Sequence, residues 1–183
     1  ESKTAIDFTQ GALIRTGRPL DLALNGKGFF VIETPAGELY TRNGTCAINP
    51  DGQLVDTQGR VIAGEDGAIA IPGTASSLDV HVSSDGAISV TGKRIGKLKL
   101  VEFEDTSLLM PVGGGCYRPT GPVELKEAAG TTVQQGYREG SNVSAVKELV
   151  RLITVSRLYQ ANVKSVGSHS DRLKHLLQVA MGT

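Results

Sequence analysis

The stretch NVSAVKELVRLITVSRLYQANVKSVGSHSDRLKHLLQVA, residues 142–180, determines how the rest of this chain can be arranged. At heptad spacing from Leu149 and Leu152 it presents one nearly continuous apolar stripe. The stripe consists of Leu149, Leu152, Ser156, Tyr159, Val163, Val166, Ser170, Leu173, Leu177 and Ala180. Ser141-Asn142 offers an N-terminal cap, and Gly182 a C-terminal stop. The pattern predicts a coiled-coil-type helix over 141–183, with a periodic part roughly 57 Å long.

The apolar stripe of the predicted helix requires a packing partner. Two partners are possible: the β-rich body of the same chain, or a coiled-coil helix from elsewhere in the native chain or from another subunit. Ser156, Ser170 and Gly167, a glycine that costs about 1 kcal/mol inside a helix, favour packing among several neighbours over one tight zipper. We call the residues predicted to pack the helix seam: Leu149, Leu152, Tyr159, Val163, Val166, Leu173 and Leu177.

Residues 18–140 carry short apolar runs separated by pairs that tolerate the positive φ of hairpin turns. The pairs are Asn43-Gly44, Asp51-Gly52, Asp66-Gly67 and Asp85-Gly86. Strands are predicted at 20–25, 29–32, 39–42, 78–82 and, longest, 96–103, whereas 110–121 is interpreted as a Gly/Pro-rich loop. The spacing predicts a mainly β, antiparallel barrel or sandwich-like domain over 18–140, after an extended lead-in over 1–17.

Composition excludes several classes of protein. Lys+Arg and Asp+Glu are both 19, so the net charge is zero and nucleic acid is not an expected partner. No apolar run approaches the roughly 20 residues that span a bilayer, so no membrane insertion is expected. The sequence begins at Glu1 and has no cleavable signal peptide, and we expect upstream residues to be missing.

Candidate chemistry is weak throughout the chain. Cys46 and Cys116 form no metal-ligand motif; the sequence favours two buried thiols but leaves their pairing open. Cys116, in a glycine loop, has only His81 as a candidate base within the β body. The segment GAISVTGKR, residues 86–94, lacks the spacing and the Ser or Thr of a phosphate loop. We expect no enzyme activity, no catalytic residue, no cofactor and no metal.

Three segments, in this order, carry a resemblance to a known family. They are GALIRTGRPLDLALNGKGFFVI (11–32), YTRNGTCAINPDGQLVDTQGRVI (40–62) and YREGSNVSAVKELVRLITVSRLYQAN (137–162). The chain resembles bacterial flagellar basal-body rod and hook-basal-body proteins, of the proximal or distal rod type. The segment 96–121 favours the proximal type, while Cys46 stands where the family commonly has an aromatic residue and Cys116 where it often has an aliphatic one.

The resemblance implies a structural axial subunit that self-assembles, without closing, into a helical tube transmitting torque from motor to hook. The implied partners are other rod and hook-basal-body subunits and the flagellar type III export apparatus. The implied location is the periplasm-spanning rod of the basal body, reached without a cleavable signal peptide. Family members begin with an N-terminal helix that pairs with the C-terminal one, and the present sequence lacks it.

Two other functions remain open. One is an autonomous β-rich binding domain with the helix as an oligomerisation stalk, for which a saturable ligand on the β body is the discriminating observation. The other is a hydrolase using Cys116, which predicts a thiol-dependent activity lost on alkylation.

Overall fold

A computed structural model describes residues 6–73 and 75–182, with the backbone alone at 145, 170, 171, 173–175 and 178–180. The chain divides into two units, the first ending at Asn142 and the second beginning at Val143. We call them the β unit and the helix unit.

The strands of the β unit are two to six residues long. They are β1 (Leu13–Arg15), β2 (Asp21–Asn25), β3 (Phe29–Thr34), β4 (Gly37–Thr41), β5 (Gly44–Thr45), β6 (Ala47–Ile48), β7 (Leu54–Val55), β8 (Val61–Gly64), β9 (Gly67–Ala68), β10 (Val80–Val82), β11 (Ala87–Val90), β12 (Lys93–Lys97), β13 (Leu100–Phe103), β14 (Leu109–Gly113), β15 (Cys116–Pro119), β16 (Leu125–Glu127), β17 (Thr132–Gln135) and β18 (Tyr137–Glu139). Two short 3-10 helices cover Ser77–Asp79 and Thr106–Leu108. The helix unit contains α1 (Ala145–Ala180).

The strands pair antiparallel in four sheets. The largest runs β14-β15-β4-β3-β8-β7-β6, with β13 joining β3 and β16, and β9 joining β8. The smaller sheets are β17-β2-β5, β10-β11-β12 and β1-β18. The predicted mainly β, antiparallel fold followed by a long helix is therefore confirmed. Within the described residues no barrel closes, so the sandwich-like alternative fits.

Strand β3 lies at the centre of the β unit. One edge pairs with β4, and the other pairs with β13 at its start and with β8 near its end. Because alternate side chains of a strand point to opposite faces, Phe30 joins one apolar cluster, whereas Phe29 and Val31 join another. Phe29 to Ile32 are at most 1% exposed. Each such buried side chain stabilises the unit by about 1.5–3 kcal/mol.

The predicted long strand over 96–103 is interrupted in the middle. β12 ends at Lys97 and β13 begins at Leu100. Between them the Leu98 N–H donates to the Gly86 carbonyl oxygen at 2.9 Å, and the Lys99 N–H donates to the Ala63 carbonyl oxygen at 3.0 Å. Leu98 is buried in the same cluster as Phe30. The chain therefore leaves the β10–β12 sheet here and joins the largest sheet.

The interpretation of 110–121 as a loop is wrong. It contains most of the hairpin formed by β14 and β15, whose register runs from Leu109 opposite Pro119 to Gly113 opposite Cys116. Gly114 and Gly115 make the turn with φ of +61° and +70°. Because β14 lies at the edge of its sheet, proline is tolerated there: its missing N–H need not remove a ladder bond.

The strand predicted over 78–82 begins two residues late. Ser76 and Asp79 form a reciprocal capping box that stabilises the 3-10 helix Ser77–Asp79. Leu78 therefore points into solvent, 78% exposed, while Val80 and Val82 are buried. The alternation therefore predicts the burial of Val80 and Val82 but not the exposure of Leu78.

Candidate assembly surface on the helix

Helix α1 begins later than its predicted cap. Its N-cap is Ser144, whose side chain makes no capping hydrogen bond. Asn142 is used elsewhere, since its Nδ2 donates to the carbonyl oxygens of Asp7 and Thr9 at 3.0 and 3.1 Å. Glu148 lies in the first turn, where a negative charge complements the helix dipole. The helix ends at Ala180, and its C-cap Met181 is followed by Gly182 with φ +67°, as the predicted stop requires.

The helix seam faces solvent wherever its side chains are described. Leu149, Leu152, Tyr159, Val163, Val166 and Leu177 are between 53% and 70% exposed. The side chain of Leu173 lies outside the described residues. A heptad row of exposed apolar side chains on a helix of 36 residues is a surface built to be covered. That these residues pack against other helices stays a prediction.

A second apolar stripe, which the heptad pattern does not include, runs along the first half of α1. Val146, Val150 and Ile153 are spaced by four and three residues, which places them on one face of the helix. All three are more than half exposed. The same i, i+4, i+7 spacing is present in the sequence, but a count restricted to the heptad positions of Leu149 and Leu152 passes over it. The first half of α1 therefore presents apolar side chains on two faces.

The two cysteines are free, buried thiols. Burial, reinforced by Asp21 and Asp56, raises the pKa of Cys46 to about 12. Burial also raises the pKa of Cys116, although the guanidinium of Arg60 opposes that shift. A nucleophilic cysteine needs a depressed pKa and access to solvent. Neither thiol meets these conditions.

The described part of the β unit lacks the features of a reaction centre. Among these residues there is no group of three or more His, Cys, Asp and Glu side chains that could hold a metal ion. Among the described residues no helix is both long and apolar enough to cross a membrane. A shallow cleft of about 590 Å³ follows the chain from Ile6 to Gln10 across Phe29 and Phe103. Its lining mixes aromatic rings with Arg42, Lys27 and Glu104, without a nucleophile and base pair.

Comparison with known proteins identifies two matching family descriptions. Residues 23–90 match "Flagellar hook protein FlgE/F/G D1 domain", and residues 134–179 match "Flagellar basal body rod FlgEFG protein C-terminal". The flagellar basal-body rod protein FlgF of Caulobacter vibrioides is 34% identical over 171 residues, covering 93% of this chain and 69% of the relative. FlgG of Buchnera aphidicola subsp. Acyrthosiphon pisum is 35% identical over 93% of this chain and 69% of its own length. FlgF of Escherichia coli is 33% identical, with coverages of 93% and 72%.

The antiparallel β unit, the exposed helix and these matches define a structural, non-enzymatic protein of the bacterial flagellum. The chain belongs to the flagellar basal-body rod protein family that includes FlgF and FlgG. The resemblance seen in the sequence is therefore confirmed. Membership places the chain in the flagellar basal body and implies assembly with other basal-body components. An autonomous binding domain is not favoured.

Proposed function

We propose that the helix seam is the surface through which this rod subunit assembles, both with its own copies and with other rod and hook-basal-body subunits. The observation that carries the proposal is the exposed row of seam side chains on α1. An isolated helix gains little from propensity alone and depends on packing of its apolar face. Its seam therefore favours association with other helices.

The β unit supports the proposal by having a core of its own. Among the described residues, the buried side chains, from Leu22 in β2 to Val133 in β17, all belong to the first unit. Residues 18–140 then serve as a preformed rod or hook-type domain and residues 141–183 as the coiled-coil-type element, with the lead-in 1–17 before them. Assembly buries the helix without refolding the β unit.

We assign the assembly a helical, open-ended geometry. Head-to-tail contacts that do not close by rotation propagate a tube, and the tube transmits torque from motor to hook across the periplasm. The subunit reaches that site through the flagellar type III export apparatus. The support for this partner and location is membership of the rod family.

A charge in the seam tests the proposal. Val163→Asp introduces a carboxylate at an exposed seam position, where burial in an assembly would cost several kcal/mol. Ser165→Asp adds the same charge two residues away, on the opposite side of the helix. Each full-length variant is expressed in a flagellated host that lacks the native subunit. Val163→Asp should abolish rod assembly and motility, whereas Ser165→Asp should retain both.

The β unit provides the control for folding. Both variants should keep the thermal melt of the unsubstituted β unit, since neither position lies in it. Normal rods and motility with Val163→Asp would refute the seam as the assembly surface. Equal loss in both variants would point to charge in general rather than to the seam.

A further inference from the structure

The β unit joins its own two ends at one largely buried ion pair. The guanidinium of Arg42, in the turn between β4 and β5, contacts the carboxylate of Glu139 at the end of β18. Arg42 Nε donates to Glu139 Oε2 at 2.9 Å, and Nη2 donates to Oε1 at 3.2 Å. Both side chains are only 12% exposed. A two-bond, charge-assisted contact of this kind is among the stronger polar interactions in proteins.

Arg42 is itself held by the core. Its Nη1 donates to the Gly28 carbonyl oxygen at 3.1 Å. Its guanidinium carbon lies 5.7 Å from the centre of the Phe29 ring, within reach of a cation–π interaction. Phe29 belongs to the buried aromatic cluster. Glu139 is thereby tied to the interior and not to another surface side chain.

Glu139 also holds the segment through which the chain enters the unit. The Gly11 N–H donates to Glu139 Oε1 at 3.0 Å. Next to it, the Gly140 N–H donates to the Ala12 carbonyl oxygen at 2.8 Å. A Cβ atom on Gly11 would lie 1.9 Å from the Gly140 carbonyl oxygen, so the two backbones approach as closely as only glycine permits. One carboxylate therefore joins the entering segment, the leaving strand and the core.

The direction of β1 and β18 explains why the ion pair between Arg42 and Glu139 is important for holding the two ends together. β1 and β18 are antiparallel, with Leu13 opposite Glu139 at the end where the chain enters and leaves. A force that separates the two ends would open this three-pair ladder from the Leu13–Glu139 pair onward, one pair at a time. Through its ion pair with Glu139, Arg42 stabilises the Leu13–Glu139 pair, which would open first.

We propose that Arg42 and Glu139 form a clasp that keeps the entering and leaving segments of the β unit together, independently of the helix seam. Gly11 and Asn142 complete the clasp on either side, Asn142 through its bonds to the Asp7 and Thr9 carbonyl oxygens. The clasp holds the ends and not the core, so its loss releases residues 7–15 and 137–142 while the largest sheet stays folded.

Amide hydrogen exchange in the full-length chain tests this proposal. Arg42→Met removes the brace and leaves an apolar side chain beside Phe29. We expect the exchange rates of the Gly11 and Gly140 amides to rise about tenfold or more, while the amides of β3 and β4 keep their rates. Lys99→Met is the matched control, because it removes a cation from the half-exposed Lys99–Glu38 pair, away from both ends.

A second variant reaches the clasp from its other side. Gly11→Ala keeps the ion pair but forces the backbones apart, so Gly140 should exchange faster in this variant too. If the Gly140 amide exchanged at the rate of the unsubstituted chain in both variants, the proposal of a clasp would be refuted. An equal rise in β3 and β4 with Arg42→Met would overturn it as well, because Arg42 would then stabilise the whole unit.

Discussion

Arg60 Nη2 lies 3.0 Å from the buried Sγ of Cys116. The same guanidinium forms an ion pair with Asp56 four residues earlier. Arg60 is thus shared between a carboxylate and a thiol that is 1% exposed. The arginine lowers the pKa of Cys116, but burial has the larger effect and the pKa is raised. The contact is a structural one, since the buried, protonated thiol of Cys116 at the start of β15 lacks the depressed pKa and the solvent access of a nucleophile.

We expect neither thiol of the folded chain to react with an aromatic disulfide reagent near neutral pH. Burial keeps both Cys46 and Cys116 protonated and out of reach. Absorbance of the released thiolate should stay at background in the native chain and rise to two equivalents per chain in denaturant. Rapid release of one equivalent from the native chain would revive the interpretation of Cys116 as a hydrolase nucleophile.

Alkaline pH should destabilise the β unit through Cys46. The pKa of the thiol is near 9.0 when unfolded and about 12 when folded. Between these values the folded state holds more protons than the unfolded state, so the free energy of unfolding falls as the pH rises. The expected slope is about 1.4 kcal/mol per pH unit from this thiol. The raised pKa values of Cys116 and Tyr40 act in the same direction.

Denaturant melts at about pH 8 and about pH 10.5 measure that loss of stability. Cys46→Ala removes one of the three contributing groups and leaves the other two in place. The variant should start less stable, because a buried side chain is shortened, yet lose less between the two pH values. The same loss in both proteins would show that Cys46 does not titrate as its burial requires.

Gly44→Ala should destabilise the β unit through a backbone clash. Gly44 lies in β5 opposite Leu22, and a Cβ atom there would lie 1.9 Å from the Leu22 carbonyl oxygen. We expect the free energy of unfolding to fall by about 2–4 kcal/mol, as for other overpacked core sites. Gly121→Ala is the control, since no atom beyond its two chain neighbours lies within 4 Å of the added Cβ. Equal melts for the two variants would mean that β2 and β5 separate freely.

Ile153→Asp should weaken assembly through the second apolar stripe. Burial of an isoleucine contributes about 1.5–3 kcal/mol, so its loss lowers an association constant roughly tenfold or more. Ser165→Asp is the control, because it adds the same charge beyond the end of the second stripe and on the opposite side of the helix from Val163. Sedimentation of the full-length variants measures association, and circular dichroism checks that α1 remains helical. Unchanged association with Ile153→Asp would leave the helix seam as the sole contact surface.

The sequence predicted the hairpin turns well, but not always for the right reason. Gly52, Gly67 and Gly86, each after an aspartate, have φ of +79°, +105° and +84°, as the Asp-Gly pairs indicate. Gly44 has no positive φ and is required instead by the close approach of Leu22. That approach is a tertiary contact between β2 and β5, and no local pattern encodes it.

The predictions for 110–121 and 96–103 were wrong because tertiary contacts, and not local pattern, determine those segments. Pro111 and the glycines after it look like a loop, yet they form an edge hairpin where proline is tolerated. The run 96–103 alternates like one strand, yet Leu98 belongs to a crossing between two sheets. Periodicity reports which residues are buried, not which sheet they join. The helix seam was predictable because heptad spacing is local, whereas the Arg42–Glu139 pair joins residues 97 positions apart.

The hydrogen bond between Gly140 and Ala12 places the entrance and exit of the β unit beside each other. A domain whose two ends lie side by side can be exchanged as one block. If it is removed, a short turn can connect the segments that precede and follow it. A gene can therefore lose, enlarge or replace this block without disturbing the segments on either side. The β unit can then diverge without any change in the helix seam.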